Sequence, residues 1–166
     1  MWHQVVLSNT TNVPWTTGAV MIMQGRQPLA QDLLTYTAIT DEVRVPVTIS
    51  VDTRGKFDEK ETARDLKALE WAGHRYAKIT KEISLSLCNH KQEAVDVEVT
   101  LRVGGKVEEA TERGVIQIGA FRPEDWQNYQ GHPAVNNSSV IKWKTKLEPS
   151  SFFEPKVSYF YFSYYN

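Results

Sequence analysis

Apolar and polar residues alternate at every second position over long stretches of this chain. From Val95 to Val103 the odd positions are Val95, Val97, Val99, Leu101 and Val103, and the even ones are Asp96, Glu98, Thr100 and Arg102. Val43, Val45, Val47, Ile49 and Val51 alternate in the same way with Arg44, Pro46, Thr48 and Ser50. Strand side chains point to opposite faces in turn, so each run describes a ribbon with one dry face and one wet face. The pattern predicts an all-β chain: an antiparallel, immunoglobulin-like β-sandwich with one long irregular loop.

Further strands follow from the same reading. Val5 to Leu7 opens the chain, and Asn9-Thr10-Thr11-Asn12 reads as a turn. Ala19 to Met23 is a continuous apolar run, expected to be a strand buried on both faces. Pro46 cannot donate a ladder hydrogen bond, which places the Val43–Val51 strand at an edge. Ile83, Leu85 and Leu87 alternate with Ser84 and Ser86, and a short connection at Asn89–Gln92 leads to Ala94–Val103, which predicts a hairpin closed by Gly104-Gly105. Ile141, Trp143, Thr145 and Leu147, then a turn at Glu148–Ser151 and an aromatic run from Phe152 to Tyr165, predict a second hairpin. That last run is bulky on both faces, as a central strand would be.

Two segments resist the pattern. Residues 52–82 are dense in charge of both signs. Within them Glu59–Trp71 reads either as a helix, with Ala63, Leu66 and Leu69 three apart, or as a β-ribbon of alternating charge. Gly119–Ser138 is rich in Pro, Asn, Gln and Gly, and a stretch of that length without a strand marks a functional or covering loop. No internal repeat is visible.

Composition narrows the function classes. The 166 residues carry 41% hydrophobic and 23% charged side chains, as a globular domain does, and a chain of this length can bury a core without disulfides. Net charge is −1, so no basic field draws nucleic acid or an anionic membrane. No stretch reaches the ~20 apolar residues of a membrane span. Cys88 is the single cysteine and reads as a small buried hydrophobe. No signal region opens the chain, and it begins and ends inside strand-like runs. Residues 1–166 are therefore expected to be one domain cut from a longer protein. A cell-envelope or extracytoplasmic location would follow if the parent chain carries a signal.

Candidate chemistry is sparse. His3, His74, His90 and His132 share no metal-ligand spacing, and no nucleophile elbow or phosphate-binding glycine loop is present. Acid pairs such as Asp58-Glu59 and Glu108-Glu109 point to opposite strand faces and do not supply a glycosidase geometry. No catalytic residue, metal or cofactor is assigned. The long loop holds Phe121, Trp126 and Tyr129, which could anchor a protein partner or stack on a sugar ring, with His132 beside them. An enzyme joining His132 to a distant acid is the third and weakest reading.

Val5-x-Leu7-x-Asn9 and Pro14-Trp15-Thr16-Thr17-Gly18-Ala19-Val20 resemble the start of a domain of unknown function. That domain forms the C-terminal part of bacterial proteins related to mucoidy inhibitor A. Arg64 onward, with Gly73-His74-Arg75-Tyr76 and Leu87-Cys88-Asn89-His90, is similar to its middle. Val140-Ile141-x-Trp143, Leu147-x-Pro149 and Tyr159-x-Tyr161 are similar to its end. The matching motifs are strand and turn punctuation, and Gly119–Ser138 has no counterpart. The resemblance implies a β-sandwich without known enzymatic activity, extended strands across 59–71, and relatives in which a coiled-coil-like part precedes the module. The expected function is a structural or protein-interaction module of a larger bacterial protein, contacting a protein partner or neighbouring domains of its own chain. The alternative is a carbohydrate-binding module using the loop aromatics.

Overall fold

The computed structural model describes residues 1–120 and 135–165. All of its regular elements longer than a single turn are strands: β1 (Trp2–Ser8), β2 (Gly18–Gln24), β3 (Gln27–Leu34), β4 (Glu42–Ile49), β5 (Thr53–Trp71), β6 (His74–Asn89), β7 (Val95–Gly104), β8 (Lys106–Ala110), β9 (Val115–Ala120), β10 (Asn137–Leu147), β11 (Phe152–Phe153) and β12 (Lys156–Tyr165). The chain is all-β, antiparallel and sandwich-like. Residues 59–71 are strand, so the helical alternative falls: they form most of β5. The chain divides into two compact units, Met1–Arg54 and Gly55–Asn166.

The second unit is built from two sheets. In one, β6 pairs with β5 and with β12, and β12 pairs with β8. β11 and β12 run along β6 in a single register, with Phe153 opposite Leu87 and Lys156 opposite Ser84. The break between them is Pro155, which has no N–H to give to the ladder. Its carbonyl still accepts the Leu85 N–H at 3.0 Å. The other sheet has the order β7-β10-β9. Ile83 and Leu87 of β6 and Phe153, Val157 and Tyr159 of β11 and β12 form one buried cluster with Val97 and Val103 of β7 and Ile141, Trp143 and Leu147 of β10. Alternation therefore works as expected in these strands, each contributing every second residue to the space between the sheets.

The first unit pairs β1 with β4 and β2 with β3. Val43 and Val45 are buried opposite Leu7 and Val5. A bulge in the β1–β4 ladder then breaks the period, and Ile49 and Val51 end up exposed. The Ala19–Met23 run is not buried on both faces as its composition suggested. It lies in a two-stranded ribbon that leaves Met21 57% and Met23 48% exposed.

The two expected hairpins are also corrected. β6 and β7 do not pair with each other, and neither do β10 and β12; each pair crosses from one sheet to the other. Alternating strands joined by a short turn look the same in sequence whether they fold side by side or arch between layers. Asn89 decides the matter here. Its side-chain amide donates to the carbonyls of Glu93 (2.8 Å), Leu147 (3.0 Å) and Glu148 (3.3 Å), tying the β6–β7 arch to the end of β10. The Gly104-Gly105 pair likewise carries β7 into β8 of the opposite sheet. A Cβ on Gly105 would sit 2.5 Å from the Phe160 carbonyl oxygen, so the glycine permits that close passage.

Asn9 repeats this arrangement in the first unit. Its amide donates to Val13, Thr37 and Ala38, as that of Asn89 does to Glu93, Leu147 and Glu148. Its Oδ1 accepts the N–H two residues on, and so does that of Asn89. Its backbone exchanges hydrogen bonds with Thr40 and Asp41, as that of Asn89 does with Ser150 and Ser151. Thr40 and Ser150 both have positive φ. Ser8 pairs with Glu42 as Cys88 pairs with Phe152, and Trp15 bridges Thr37 as Val95 pairs with Leu147. Thus β1, β2, β3 and β4 form the same four-strand frame as β6, β7, β10 and β11–β12.

Candidate functional site

The loop residues singled out in the sequence, Phe121, Trp126, Tyr129 and His132, lie outside the described residues. Among the described residues no group of three His, Cys, Asp or Glu side chains is placed to hold a metal ion. No helix there is long and apolar enough to cross a membrane. His3 is on β1, His74 opens β6, and His90 follows Asn89 with its Nδ1 3.9 Å from the buried Cys88 sulfur.

The densest polar cluster is on β5, β6 and β12. Glu59 accepts hydrogen bonds from the Tyr159 hydroxyl (2.6 Å) and Lys81 (2.8 Å). Burial alone would raise the Glu59 carboxyl, but the bonds from Lys81 and Tyr159 and the Lys81 charge outweigh it, so its pKa lies below the ordinary value. For Lys81 burial would lower the ammonium, and the bond to Glu59 together with nearby negative charge raises it instead. Lys60 pairs with Glu82 at 3.0 Å, and Arg64 grips Glu61 with two nitrogens at 2.8 and 2.9 Å. Glu59, Glu61 and Glu82 are each matched by a cation, and the Lys60–Glu82 and Lys81–Glu59 pairs brace β5 against β6.

Lys78 lies 3.9 Å above the Phe160 ring and 3.3 Å from Glu108. Phe160 and Phe162 meet edge to face at 80°, so they do not form the coplanar platform on which a sugar would lie flat. A shallow hollow of about 350 Å³ is lined by Leu66, Lys67, Leu69, Glu70 and Arg75 near the β5–β6 turn. It brings no convergent catalytic groups together.

The sheet edges differ sharply from one another. An edge strand presents unpaired backbone groups, and natural proteins blunt such edges with charge, proline or bulges. β5 carries Lys56, Asp58, Lys60, Glu61, Arg64 and Asp65 along its length. β4 carries Glu42, Arg44 and Pro46. β1, by contrast, reads Trp-His-Gln-Val-Val-Leu-Ser and has no Lys, Arg, Asp, Glu or Pro, a property it shares with the edge strands β2 and β9.

Hydrogen bonds at the two ends of β1 show which of its groups face outward. The Met1 carbonyl accepts the Ser50 N–H, and the Asn9 N–H donates to Asp41. Strand residues two apart direct their N–H and C=O to the same side. Odd residues of β1 therefore face β4, and Trp2, Gln4, Val6 and Ser8 present theirs on the open edge. By the same ladder, Glu42, Arg44 and Pro46 face outward from β4. The proline thus sits where it removes an outward donor, in keeping with its expected edge position.

Sequence reasoning missed the β1 edge. Its signal, a strand without charge or proline, was present, but nothing in the sequence shows which strands end a sheet. No protein-family model, no curated protein and no solved structure matches the chain.

Proposed function

We propose that this chain is a non-catalytic β-sandwich interaction module of a larger bacterial protein, and that it docks a protein strand along the open edge of β1. The observation that carries this reading is the chemistry of β1, an uncharged and proline-free edge on a chain whose β4 and β5 edges are blunted. Strand addition draws affinity from main-chain hydrogen bonds and specificity from alternate side chains. Trp2 is 63% and Val6 50% exposed, and they supply the apolar contacts on the outer face of that edge. The resemblance to a domain without known enzymatic activity agrees with this role.

The test is partner capture by the full chain, compared with a Gln4→Pro variant. Gln4 is exposed and its N–H faces away from β4, so proline there removes an outward donor and spares the β1–β4 ladder. Capture should be lost in Gln4→Pro and retained in Lys60→Ala on β5. Capture that Gln4→Pro leaves unchanged overturns the reading.

A further inference from the structure

The repeated frame shows how a β1–β4 pair is completed elsewhere in the same chain. In the second unit three strands flank the shared frame: β5 lies beside β6, β8 beside β12 and β9 beside β10. The matching positions in the first unit are the outer edges of β1, β4 and β3. Among the described residues no strand fills any of them. β4 turns Pro46 outward. The Trp15–Thr37 bridge exchanges both backbone hydrogen bonds, and β2 and β3 continue its register, so β3 turns Asp32 outward. β2 and β9 also have uncharged edges, but β7, the counterpart of β2, ends its sheet in the second unit, and β9 is itself one of the three flanking strands, so the frame needs no strand beside either. β1 alone combines an unprotected edge with a position that the frame fills in the other unit.

We infer that β1 pairs antiparallel with β1 of a second copy of this chain, joining two β1–β4 sheets into one four-stranded sheet. This rests on the docking reading above and names its partner. A strand that meets its own copy across a two-fold axis places its charges against like charges, which normally forbids self-pairing. β1 has no such charge in any register. The two-fold also requires residues of one face to oppose residues of that same face, and β1 satisfies it. Centred on Gln4, the pairing sets Trp2 of each copy opposite Val6 of the other. That is an aromatic–β-branched pair, and it covers both exposed apolar side chains. The outward N–H and C=O groups of Trp2, Gln4 and Val6 meet each other directly. The bulge in the β1–β4 ladder adds its extra residue to β4, since His3 opposes Thr48 and Gln4 opposes Pro46, so β1 stays regular enough to template a strand.

Charge complementation at Gln4 tests this. Sedimentation of the full chain at micromolar concentration should show a dimer. Gln4→Lys and Gln4→Glu, each alone, should weaken self-association by roughly tenfold through a like-charged pair at the two-fold. An equimolar mixture of the two should restore association as a heterodimer. In the wild type, hydrogen exchange should protect the Gln4 and Val6 amides increasingly with concentration while Val5 and Leu7 stay unchanged, and this readout needs no variant to fold. A monomeric wild type overturns the inference, as does a dimer that neither charge weakens. If the monomer still captures a different protein in a Gln4-sensitive way, strand docking stands and only the second copy falls. If no association of any kind depends on Gln4, both fall.

Discussion

Asn9 and Asn89 occupy the same place in two different units and make the same hydrogen bonds. Each is fully buried, and each spends its amide on three carbonyls of its own arch and of the strand end beneath it. Alanine at either position leaves those carbonyls without that donor, and the Thr37 and Leu147 carbonyls are buried away from water that could replace it. The expected cost is about 2–4 kcal/mol. Aspartate is nearly isosteric but turns an acceptor toward the same carbonyls, so it should be no milder. Urea unfolding of Asn9→Ala and Asn89→Ala, followed by probes in each unit, checks this. Loss below about 1 kcal/mol would show that the arches do not depend on the asparagines.

Part of this was legible in the chain and part was not. The strands of the second unit were readable because Val97, Val103, Ile141 and Leu147 keep strict alternation into a single core. The arches were not, because Leu-x-Asn at residues 7–9 and 87–89 is too short to announce a repeat, and Thr37, Thr40, Leu147 and Ser150 share no obvious chemistry. The exposure of Met21 and Met23 was hidden for a similar reason: an apolar run reports hydrophobicity and not whether a second sheet covers it. β5 needed the family resemblance, since its charges satisfy helix and ribbon patterns equally well. What closes the ribbon is pairing with β6, where Lys60 meets Glu82 and Lys81 meets Glu59.

Gly114 is required by its neighbour Trp143. A Cβ at Gly114 would lie 2.7 Å from the indole nitrogen and 2.9 Å from an Ile141 methyl. The indole N–H donates to the Thr111 carbonyl at 2.9 Å, which fixes the ring in that position. Gly114→Ala should therefore cost about 1–3 kcal/mol through overpacking. Trp143→Phe, which vacates part of the space, should reduce the penalty of Gly114→Ala in a double-mutant cycle. Strictly additive effects would mean that the two do not meet as described.

Thr40 and Ala72 hold left-handed backbone, with φ of 67° and 51°. A β-branched residue is poorly suited to that region, and Ala72-Gly73 forms the two-residue turn of the β5–β6 ribbon with both φ values positive. Asparagine tolerates this conformation far better. Ala72→Asn and Thr40→Asn should each stabilise the chain by about 0.5–1 kcal/mol, read as a higher urea midpoint with unchanged slope. Destabilisation by Ala72→Asn would contradict the assigned turn.

The Glu59 brace carries a pH signature. Its folded carboxyl titrates below the ordinary value of 4.5, because the bonds from Lys81 and Tyr159 and the Lys81 charge exceed the opposing effect of burial. The unfolded chain therefore binds the proton first as pH falls. The stabilisation is fully present above pH 4.5 and is lost as pH drops through the lowered folded value. Lys81 runs the other way: its raised ammonium contributes below pH 10.5, and that contribution is lost as pH rises through the folded value. Glu59→Gln keeps the shape and removes the charge. It should flatten the acid limb of stability against pH, reduce the upward shift of Lys81 at the alkaline limb, and lower stability near neutrality only modestly, since solvent still reaches both half-buried side chains. NMR titration of the Glu59 carboxyl in the wild type gives the direct measurement. A midpoint at or above 4.5 would mean that the Tyr159 and Lys81 bonds do not hold the carboxylate.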